Sequence, residues 1–345
     1  MVEADRIEGS PAANRGTTAG GTTPAPARPL LEVRDLSVAF PAGRGQERRI
    51  VRDLSYTLLP GETLGVVGES GCGKTVTSLA LLGLVAPPGR VSGAIEMDGR
   101  NLLDQHARAW RSMRGRDIAM IFQEPMSAMN PVMTVGRQIG EVIVEHERVS
   151  SREAAERAVH LLDAVGIPAP AQRARDYPHQ LSGGMRQRAM IAMALACHPR
   201  LLIADEPTTA LDVTIQAQIL DLILRLQEEN GMAVQFISHN LAVVSEVAHR
   251  ILVMYAGRGV ELGAADAIFA RPLHPYTRGL ISTLPSPDEK VARLREIPGS
   301  IRLLPDHGCR FAARCPLASE ICREAEPEFR EIEPGHFAAC VKADA

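Results

Sequence analysis

The chain has 345 residues, of which 45% are apolar, so it can bury one large core or two modest ones. Its net charge of −3 and its aromatic content of 3% argue against a nucleic-acid-binding protein, which needs a basic surface and rings that stack on bases. No apolar run reaches the roughly 18 residues that cross a bilayer, so we predict a soluble protein.

The first segment carries no periodic pattern. Residues 1–30 are rich in Ala, Gly, Thr and Pro and lack an apolar core, which predicts a disordered tail rather than a signal or transit peptide. Apolar residues then alternate, and residues 31–40 are expected to form an edge strand. A second predicted strand covers Thr63–Val67, and a helical pattern starts at Lys74.

A phosphate-binding pattern lies between this strand and this helix. It fits G-x-x-x-x-G-K-[ST] and consists of Gly68, Glu69, Ser70, Gly71, Cys72, Gly73, Lys74 and Thr75. Glycines let backbone N–H groups close on phosphates, Lys74 supplies a positive charge, and Thr75 supplies a hydroxyl for Mg²⁺. Because a strand precedes the loop and a helix follows it, we predict a nucleotide site.

Strands and helices alternate along the following segment. Apolar runs predict strands at residues 118–122, 201–204, 234–237 and 251–254. Amphipathic spacing predicts one helix over residues 134–171, one that begins after Ser182 and ends before His198, and one over residues 215–226. This order predicts an α/β fold with a largely parallel sheet and helices on both of its faces.

An acidic pair follows the strand at residues 201–204. Asp205 is expected to hold Mg²⁺ directly or through water, and Glu206 is the candidate general base for the attacking water. An isolated Asp-Glu pair is more typical of a helix start, but Pro207 and the phosphate loop favour the functional interpretation. Upstream, residues 182–184 (Ser-Gly-Gly) open a helix whose N–H groups suit an anion, although this motif alone is a weak signal.

Together the motifs resemble the nucleotide-binding subunit of ABC transporters, from about Leu31 to Gly263. The resemblance implies a P-loop NTPase fold with a RecA-like core and a helical subdomain at about residues 125–195. In this family two subunits meet head to tail, so that the phosphate loop of one faces the Ser-Gly-Gly signature of the other. ATP then favours the closed dimer and hydrolysis releases it.

The resemblance also implies roles for individual residues. Catalysis is assigned to Glu206, the switch histidine His239 and the Q-loop glutamine Gln123. Mg²⁺ is assigned to Thr75, Gln123 and Asp205. Besides the phosphate loop, the implied nucleotide contacts are Phe40, which stacks on adenine, Val76, Ser182, Gly183, Gly184 and the D-loop residue Asp212.

Beyond Ala270 prolines multiply, and four cysteines follow in the order Cys309, Cys315, Cys322 and Cys340. Zinc ribbons favour closely spaced C-x₂₋₄-C pairs, which this spacing lacks, whereas four thiolates can also hold an iron–sulfur cluster. Reduced cysteines used as small apolar residues are a third interpretation. We expect a domain boundary near residues 265–272 and a small metal-organised module after it.

This C-terminal segment resembles that of dipeptide and oligopeptide importer ATPases, through residues 274–277 (His-Pro-Tyr-Thr) and 308–311 (Gly-Cys-Arg-Phe). The resemblance implies a [4Fe-4S] cluster on the four cysteines, a second, non-identical ATPase subunit, two membrane permeases and an external peptide-binding protein. It also implies peripheral attachment to the cytoplasmic face of the inner membrane. The expected domains are a tail at residues 1–30, an ATP-binding domain at residues 31–265 and an extension at residues 266–345.

The sequence therefore predicts the ATPase subunit of a bacterial importer for dipeptides or oligopeptides. The same ATPase with another cargo, such as nickel or sugars, is the nearest alternative. A non-transport ABC ATPase that acts on DNA or ribosomes is a further alternative, which the single motif set and the small net charge disfavour.

Overall fold

A computed structural model describes residues 28–43, 45–124, 128–209, 212–284, 297–300, 305 and 307–343 of the protein. The predicted tail lies almost entirely outside these residues. The described strands form two sheets. Their bounds are β1 Leu31–Pro41, β2 Glu47–Leu58, β3 Thr63–Val67, β4 Arg90–Met97, β5 Arg100–Asn101, β6 Ile118–Ile121, β7 Leu201–Asp205, β8 Ala233–Ser238, β9 Arg250–Tyr255, β10 Arg258–Ala264, β11 Arg330–Glu333 and β12 His336–Ala338.

The larger sheet has the strand order β11-β12-β10-β9-β3-β8-β7-β6. Its five strands from β9 to β6 are parallel, which confirms the parallel sheet predicted from the alternating pattern. β10, β12 and β11 extend this sheet in antiparallel fashion. The smaller sheet is antiparallel and has the order β2-β1-β4-β5.

The helices lie between the strands and after them. Their bounds are α1 Lys74–Leu81, α2 Ala107–Met113, α3 Val135–His146, α4 Ser151–Ala164, α5 Pro170–Arg173, α6 Gly183–Ala194, α7 Val213–Asn230, α8 Leu241–Val247, α9 Ala265–Ala270, α10 Pro275–Ser282 and α11 Ile321–Glu324. In the part of the chain that the structure describes, no helix is long and apolar enough to cross a membrane.

Residues that alternate along the central strands enter two separate cores. Val67 and Phe236 pack with helices α3, α4, α6, α7 and α8 on one face of the large sheet. Leu64 and Ile237 pack on the other face with β1, β2, β4, α1 and α2. Helices α1 and α2 therefore lie on this second face, but an antiparallel sheet that the prediction did not include covers it as well.

The long helix predicted over residues 134–171 is also wrong, because the chain breaks there into α3, α4 and α5. Ser150 marks the first break in the helix, because its side chain accepts a hydrogen bond from the N–H of Glu153 and caps the new helix α4. Gly166, in the left-handed region at φ +74°, follows the end of α4. The apolar spacing continues across both breaks, so periodicity alone could not reveal them.

The C-terminal segment joins the large sheet directly. Strand β12 pairs with β10, so that Glu261 lies opposite Ala338. The fully buried Glu261 carboxylate accepts hydrogen bonds from the N–H groups of Leu273 and His274 and lies 2.8 Å from Nε2 of His336. One buried carboxylate therefore links β10, the segment before α10, and β12.

A close approach between α8 and β3 generates a prediction. A Cβ on Gly65 would lie 2.1 Å from Cγ1 of Val244, so Gly65→Ala should lower the free energy of unfolding by about 1–3 kcal/mol. Thermal and urea unfolding of the two proteins would measure this. Val244→Ala in the same chain should recover most of the loss, whereas Gly183→Ala, whose Cβ would meet nothing within 4 Å, should have little effect. Equal stability of Gly65→Ala and the wild type would contradict the packing described here.

Candidate active site

The phosphate loop connects the end of β3 to the start of α1. Two of its glycines show why the loop requires this residue. A Cβ on Gly68 would lie 2.2 Å from the carbonyl oxygen of Met254, and Gly73, the N-cap of α1, has a left-handed φ of +107°. The Lys74 ammonium donates hydrogen bonds to the carbonyls of Gly68 (2.6 Å) and Glu69 (3.2 Å). The backbone of the loop therefore surrounds the Lys74 ammonium group.

The other predicted loop residues differ in their surroundings. Ser70, Gly71 and Thr75 are exposed, Val76 is half-buried, and Cys72 is fully buried against the second core. Burial raises the pKa of the Cys72 thiol. Only the backbone of Cys72 is therefore suited to contact a ligand, and its carbonyl accepts a hydrogen bond from Gly257.

Asp205 is the last residue of β7 and is 1% exposed. Burial raises the pKa of its carboxyl, and a hydrogen bond with Thr75 acts in the opposite direction. Its Oδ1 atom is buried without a hydrogen-bond partner. An unpartnered carboxylate oxygen beside a hydroxyl is the oxygen chemistry that Mg²⁺ prefers, so Asp205 and Thr75 fit the predicted ion.

Three side chains converge on one carboxylate oxygen of Glu206. Gln123 Nε2 lies 2.9 Å from Oε2 and Thr209 Oγ1 lies 3.0 Å from it, and His239 Nδ1 lies 3.3 Å away. Glu206 itself has a left-handed φ of +49°, and its N–H donates to the carbonyl of Ile237 on β8. The structure thus brings together all three residues predicted to be catalytic, and their roles in catalysis stay predictions. Thr209 is the first residue of the D-loop (residues 209–212) that the family resemblance implies, but its contact with Glu206 was not predicted.

The Ser-Gly-Gly signature lies at the exposed start of α6. Ser182 caps this helix by accepting a hydrogen bond from the N–H of Met185. A Cβ on Gly183 would face open space, whereas one on Gly184 would lie 3.3 Å from Ile215 of α7. The start of α6 is therefore open to an outside ligand or partner.

Two further predicted nucleotide contacts lie on separate elements. Phe40 is half-buried near the end of β1 and packs close to Gly89. Asp212 is exposed and caps α7 by accepting a hydrogen bond from the N–H of Ile215. Residues 210 and 211 of the D-loop lie outside the described residues.

The predicted iron–sulfur site is contradicted by the structure. Among the described residues, which include Cys309, Cys315, Cys322 and Cys340, no group of three or more His, Cys, Asp or Glu side chains is placed to hold a metal ion. The void that the four thiols line measures about 10 Å³, which is about the space of one water molecule.

The thiols instead pack as small side chains: Cys322 is buried, and Cys309, Cys315 and Cys340 are partly buried. Burial raises the pKa of Cys309 to about 11 and also raises the pKa of Cys315 and Cys340. Cys340 packs with a small apolar cluster that contains Leu273, and Cys309 packs against the first core. The prediction of a [4Fe-4S] cluster was therefore wrong, and so was that of a metal-organised module.

A cleft of about 1180 Å³ lies between α3 and α4. Its lining includes Gly140, Glu141, Val144 and Glu145 from α3 and Glu156 from α4. None of these residues was predicted to be functional, and none belongs to the ATP-site residues described above. Val144 is 43% exposed, so the cleft presents apolar surface as well as charge.

The buried charge on Asp205 generates a prediction for the protein without nucleotide. Because its pKa is raised above the unfolded value, the charge destabilises the folded state at neutral pH, and this penalty disappears as the pH falls below the unfolded pKa. Asp205→Asn should therefore raise the free energy of unfolding by about 1–3 kcal/mol at neutral pH. The difference should shrink on acidification.

Urea unfolding at a series of pH values would measure this difference. Asp221→Asn on the exposed side of α7 is the matched control and should show no such difference. A difference between Asp205→Asn and the wild type that stays constant with pH would contradict the buried-charge interpretation.

Comparison with known proteins agrees with this geometry. The sequence profile described as ABC transporter matches residues 51–209, and the profile described as oligopeptide/dipeptide transporter, C-terminal region, matches residues 260–322. Among solved structures, a dimeric bacterial ABC transporter cassette gives a TM-score of 0.62 at 25% identity and covers 68% of this chain and 99% of that one. A post-hydrolysis state of an ATP-binding cassette with ADP and phosphate gives the same values.

Similar curated proteins cover nearly the whole chain. A probable peptide ABC transporter ATP-binding protein of Sinorhizobium fredii is 52% identical and covers 91% of this chain and 95% of its own. The oligopeptide transport ATP-binding protein of Salmonella typhimurium is 49% identical, with coverage of 92% and 95%. The dipeptide transport ATP-binding protein of Haemophilus influenzae is 50% identical, with coverage of 88% and 92%. The chain therefore belongs to the ABC transporter family of ATP-binding proteins and is an ATPase of its oligopeptide/dipeptide transporter branch.

Proposed function

We propose that this chain is the ATP-hydrolysing subunit of a bacterial importer for dipeptides or oligopeptides. The observation that carries the proposal is that one chain joins a site where Gln123, Glu206 and His239 meet to a C-terminal region of the oligopeptide/dipeptide transporter type. The names of its relatives refer to peptide transport, and they favour peptides over nickel or sugars as the cargo.

In this proposal the phosphate loop binds the triphosphate of ATP. Its backbone N–H groups and the start of α1 face the phosphates, and Lys74 supplies a positive charge to them. Thr75, Asp205 and Gln123 would hold Mg²⁺, which neutralises phosphate charge when bound. The half-buried ring of Phe40 would stack on the adenine.

Glu206 is the proposed general base. Its three neighbours all contact Oε2, and the described residues give Oε1 no hydrogen bond. The carboxylate is thus fixed in orientation while one oxygen stays available to a water molecule. That oxygen can orient the water and take its proton as the water attacks the γ-phosphorus and the bond to the bridging oxygen breaks, so that ADP leaves. His239 would contact the γ-phosphate.

We further propose that a second, non-identical ATPase subunit completes the site. Ser182, Gly183 and Gly184 lie at an exposed helix start, and they would contact ATP bound to the partner, with Asp212 at the same interface. Residues 31–265 would form the ATP-binding domain, residues 125–195 its helical subdomain, and residues 266–345 the extension.

The remaining partners follow from importer architecture. Two permeases would dock on the helical subdomain, for which the cleft between α3 and α4 offers charged and apolar surface. An external peptide-binding protein would deliver cargo to them. The chain would then act at the cytoplasmic face of the inner membrane as a peripheral subunit, and nucleic acid would not be a partner.

Glu206→Gln tests the ATPase mechanism. The amide keeps the size and hydrogen bonds of the side chain but cannot accept the proton of water, so the rate of ATP hydrolysis should fall by roughly 10²- to 10⁴-fold while ATP binding persists. Phosphate release and nucleotide affinity, measured on the assembled complex, would separate the two effects. Glu228→Gln on the exposed side of α7 is the control. Near-normal hydrolysis by Glu206→Gln would remove Glu206 from the role of base.

The cargo requires a separate test. Uptake of a labelled dipeptide by vesicles that contain the complete importer should be inhibited by unlabelled dipeptides or oligopeptides and abolished by Glu206→Gln. Inhibition by nickel or a sugar, with none by peptides, would overturn the assignment of the cargo and leave the ATPase in place.

A further inference from the structure

Glu69 of the phosphate loop is held by two residues from the C-terminal region. Its backbone N–H donates a 3.0 Å hydrogen bond to the hydroxyl of Tyr276 on α10. Its carboxylate accepts a 2.9 Å hydrogen bond from Nη1 of Arg314, a residue 245 positions away along the chain. The ATP-binding loop and the C-terminal region are thus joined at one residue.

Arg314 is built into this position rather than lying on the surface. Its side chain is 5% exposed, and its guanidinium donates to the carbonyls of Pro298 (2.7 Å) and Ile297 (3.2 Å) as well as to Glu69. The guanidinium also lies over the ring of Tyr255, 5.7 Å from its centroid. Several fixed contacts therefore set the direction in which the charge points.

Tyr276 is fixed in a similar way. It is fully buried, and its ring centroid lies 4.7 Å from that of Tyr255 and 5.4 Å from that of Phe311. Its own N–H donates to Nδ1 of His274, the N-cap of α10. Because the ring cannot turn away without disturbing this aromatic cluster, its hydroxyl is a fixed acceptor for the loop.

The charge of Glu69 explains why such contacts matter for nucleotide binding. A carboxylate in a phosphate loop repels a triphosphate, and Glu69 is 27% exposed, so solvent screens it incompletely. The Arg314 guanidinium pairs with this carboxylate and offsets its charge. Lys74, which donates to the Glu69 carbonyl, depends on the same stretch of backbone for its position.

We propose that the C-terminal region forms part of the ATP site, with Arg314 and Tyr276 as positioning residues that fix Glu69 and neutralise its charge. This inference rests on the proposed role of residues 68–75 in binding ATP. The two residues act through Glu69 and do not touch the reacting atoms. Their loss should weaken ATP binding more than it slows the chemical step.

The decisive test is whether removal of the Glu69 charge restores the ATP affinity that is lost when Arg314 is replaced. Arg314→Met keeps much of the side-chain volume and should raise the Kd and the KM for ATP by roughly 10-fold, with a smaller change in kcat. Glu69→Gln alone sets the reference affinity for the double variant, because it removes the carboxylate whose charge Arg314 offsets. The double variant Arg314→Met with Glu69→Gln should recover most of the affinity. A double variant as weak as Arg314→Met would show a purely structural role and overturn the proposal.

Two further variants keep the test interpretable if Arg314→Met folds poorly. Tyr276→Phe removes a single hydroxyl and should raise the KM for ATP by roughly 2- to 10-fold. Arg250→Met breaks a comparable arginine–glutamate pair with Glu62, at the end of β3 opposite to the loop, and should leave the KM unchanged. An unchanged KM in Tyr276→Phe together with unchanged binding in Arg314→Met would refute the proposal.

Equilibrium binding of a fluorescent ATP analogue to the full-length chain is the first readout, and ATP hydrolysis by the assembled complex is the second. If the wild type binds no analogue, the proposed ATP-site function fails as well. If the wild type binds and the variants bind equally, only the role of the C-terminal region fails.

Discussion

Parallel pairing of five strands fixes where each part of the ATP site lies. β9, β3, β8, β7 and β6 run side by side in one direction, so the segments that follow them emerge at one edge of the sheet. The phosphate loop follows β3, Glu206 follows β7, His239 follows β8 and Gln123 follows β6. Gln123 and Glu206, which are 83 positions apart, thereby meet within hydrogen-bond distance, and no loop has to reach across the molecule.

The two faces of this sheet serve different purposes. One face is covered by helices. The exposed start of α6 and the cleft between α3 and α4 lie on this side, and both are available to other subunits. The other face is covered by an antiparallel sheet and by α1 and α2. The C-terminal strands extend the edge of the sheet beyond β10 and bring their segment next to the phosphate loop.

Features that depend on local sequence could be predicted. The phosphate loop and Asp205 could be located because each joins a short motif to a strand with a strong apolar pattern. Features that depend on contacts between distant residues could not be predicted from the sequence. The sequence between residues 134 and 171 keeps a helical period across its breaks, and the cap at Ser150 is one among many serines. The pairing of Arg314 with Glu69 spans 245 positions and leaves no local signal. For the four cysteines, the family resemblance was preferred to the simpler interpretation as small packed side chains, and no metal site is formed by the described residues.

The distance along the chain between Glu69 and Arg314 also affects when their contact can form during protein synthesis. Synthesis proceeds from the N-terminus at roughly 5–20 residues per second, so the 245 positions between them correspond to about 12–50 s. During that interval the phosphate loop has no arginine beside its glutamate, and β10, once made, has no β12 to pair with until residues 336–338 follow. Arg314 and β12 are thus translated after the other elements that they contact, so that a growing polypeptide lacks these contacts to the phosphate loop and the sheet edge until both have been made.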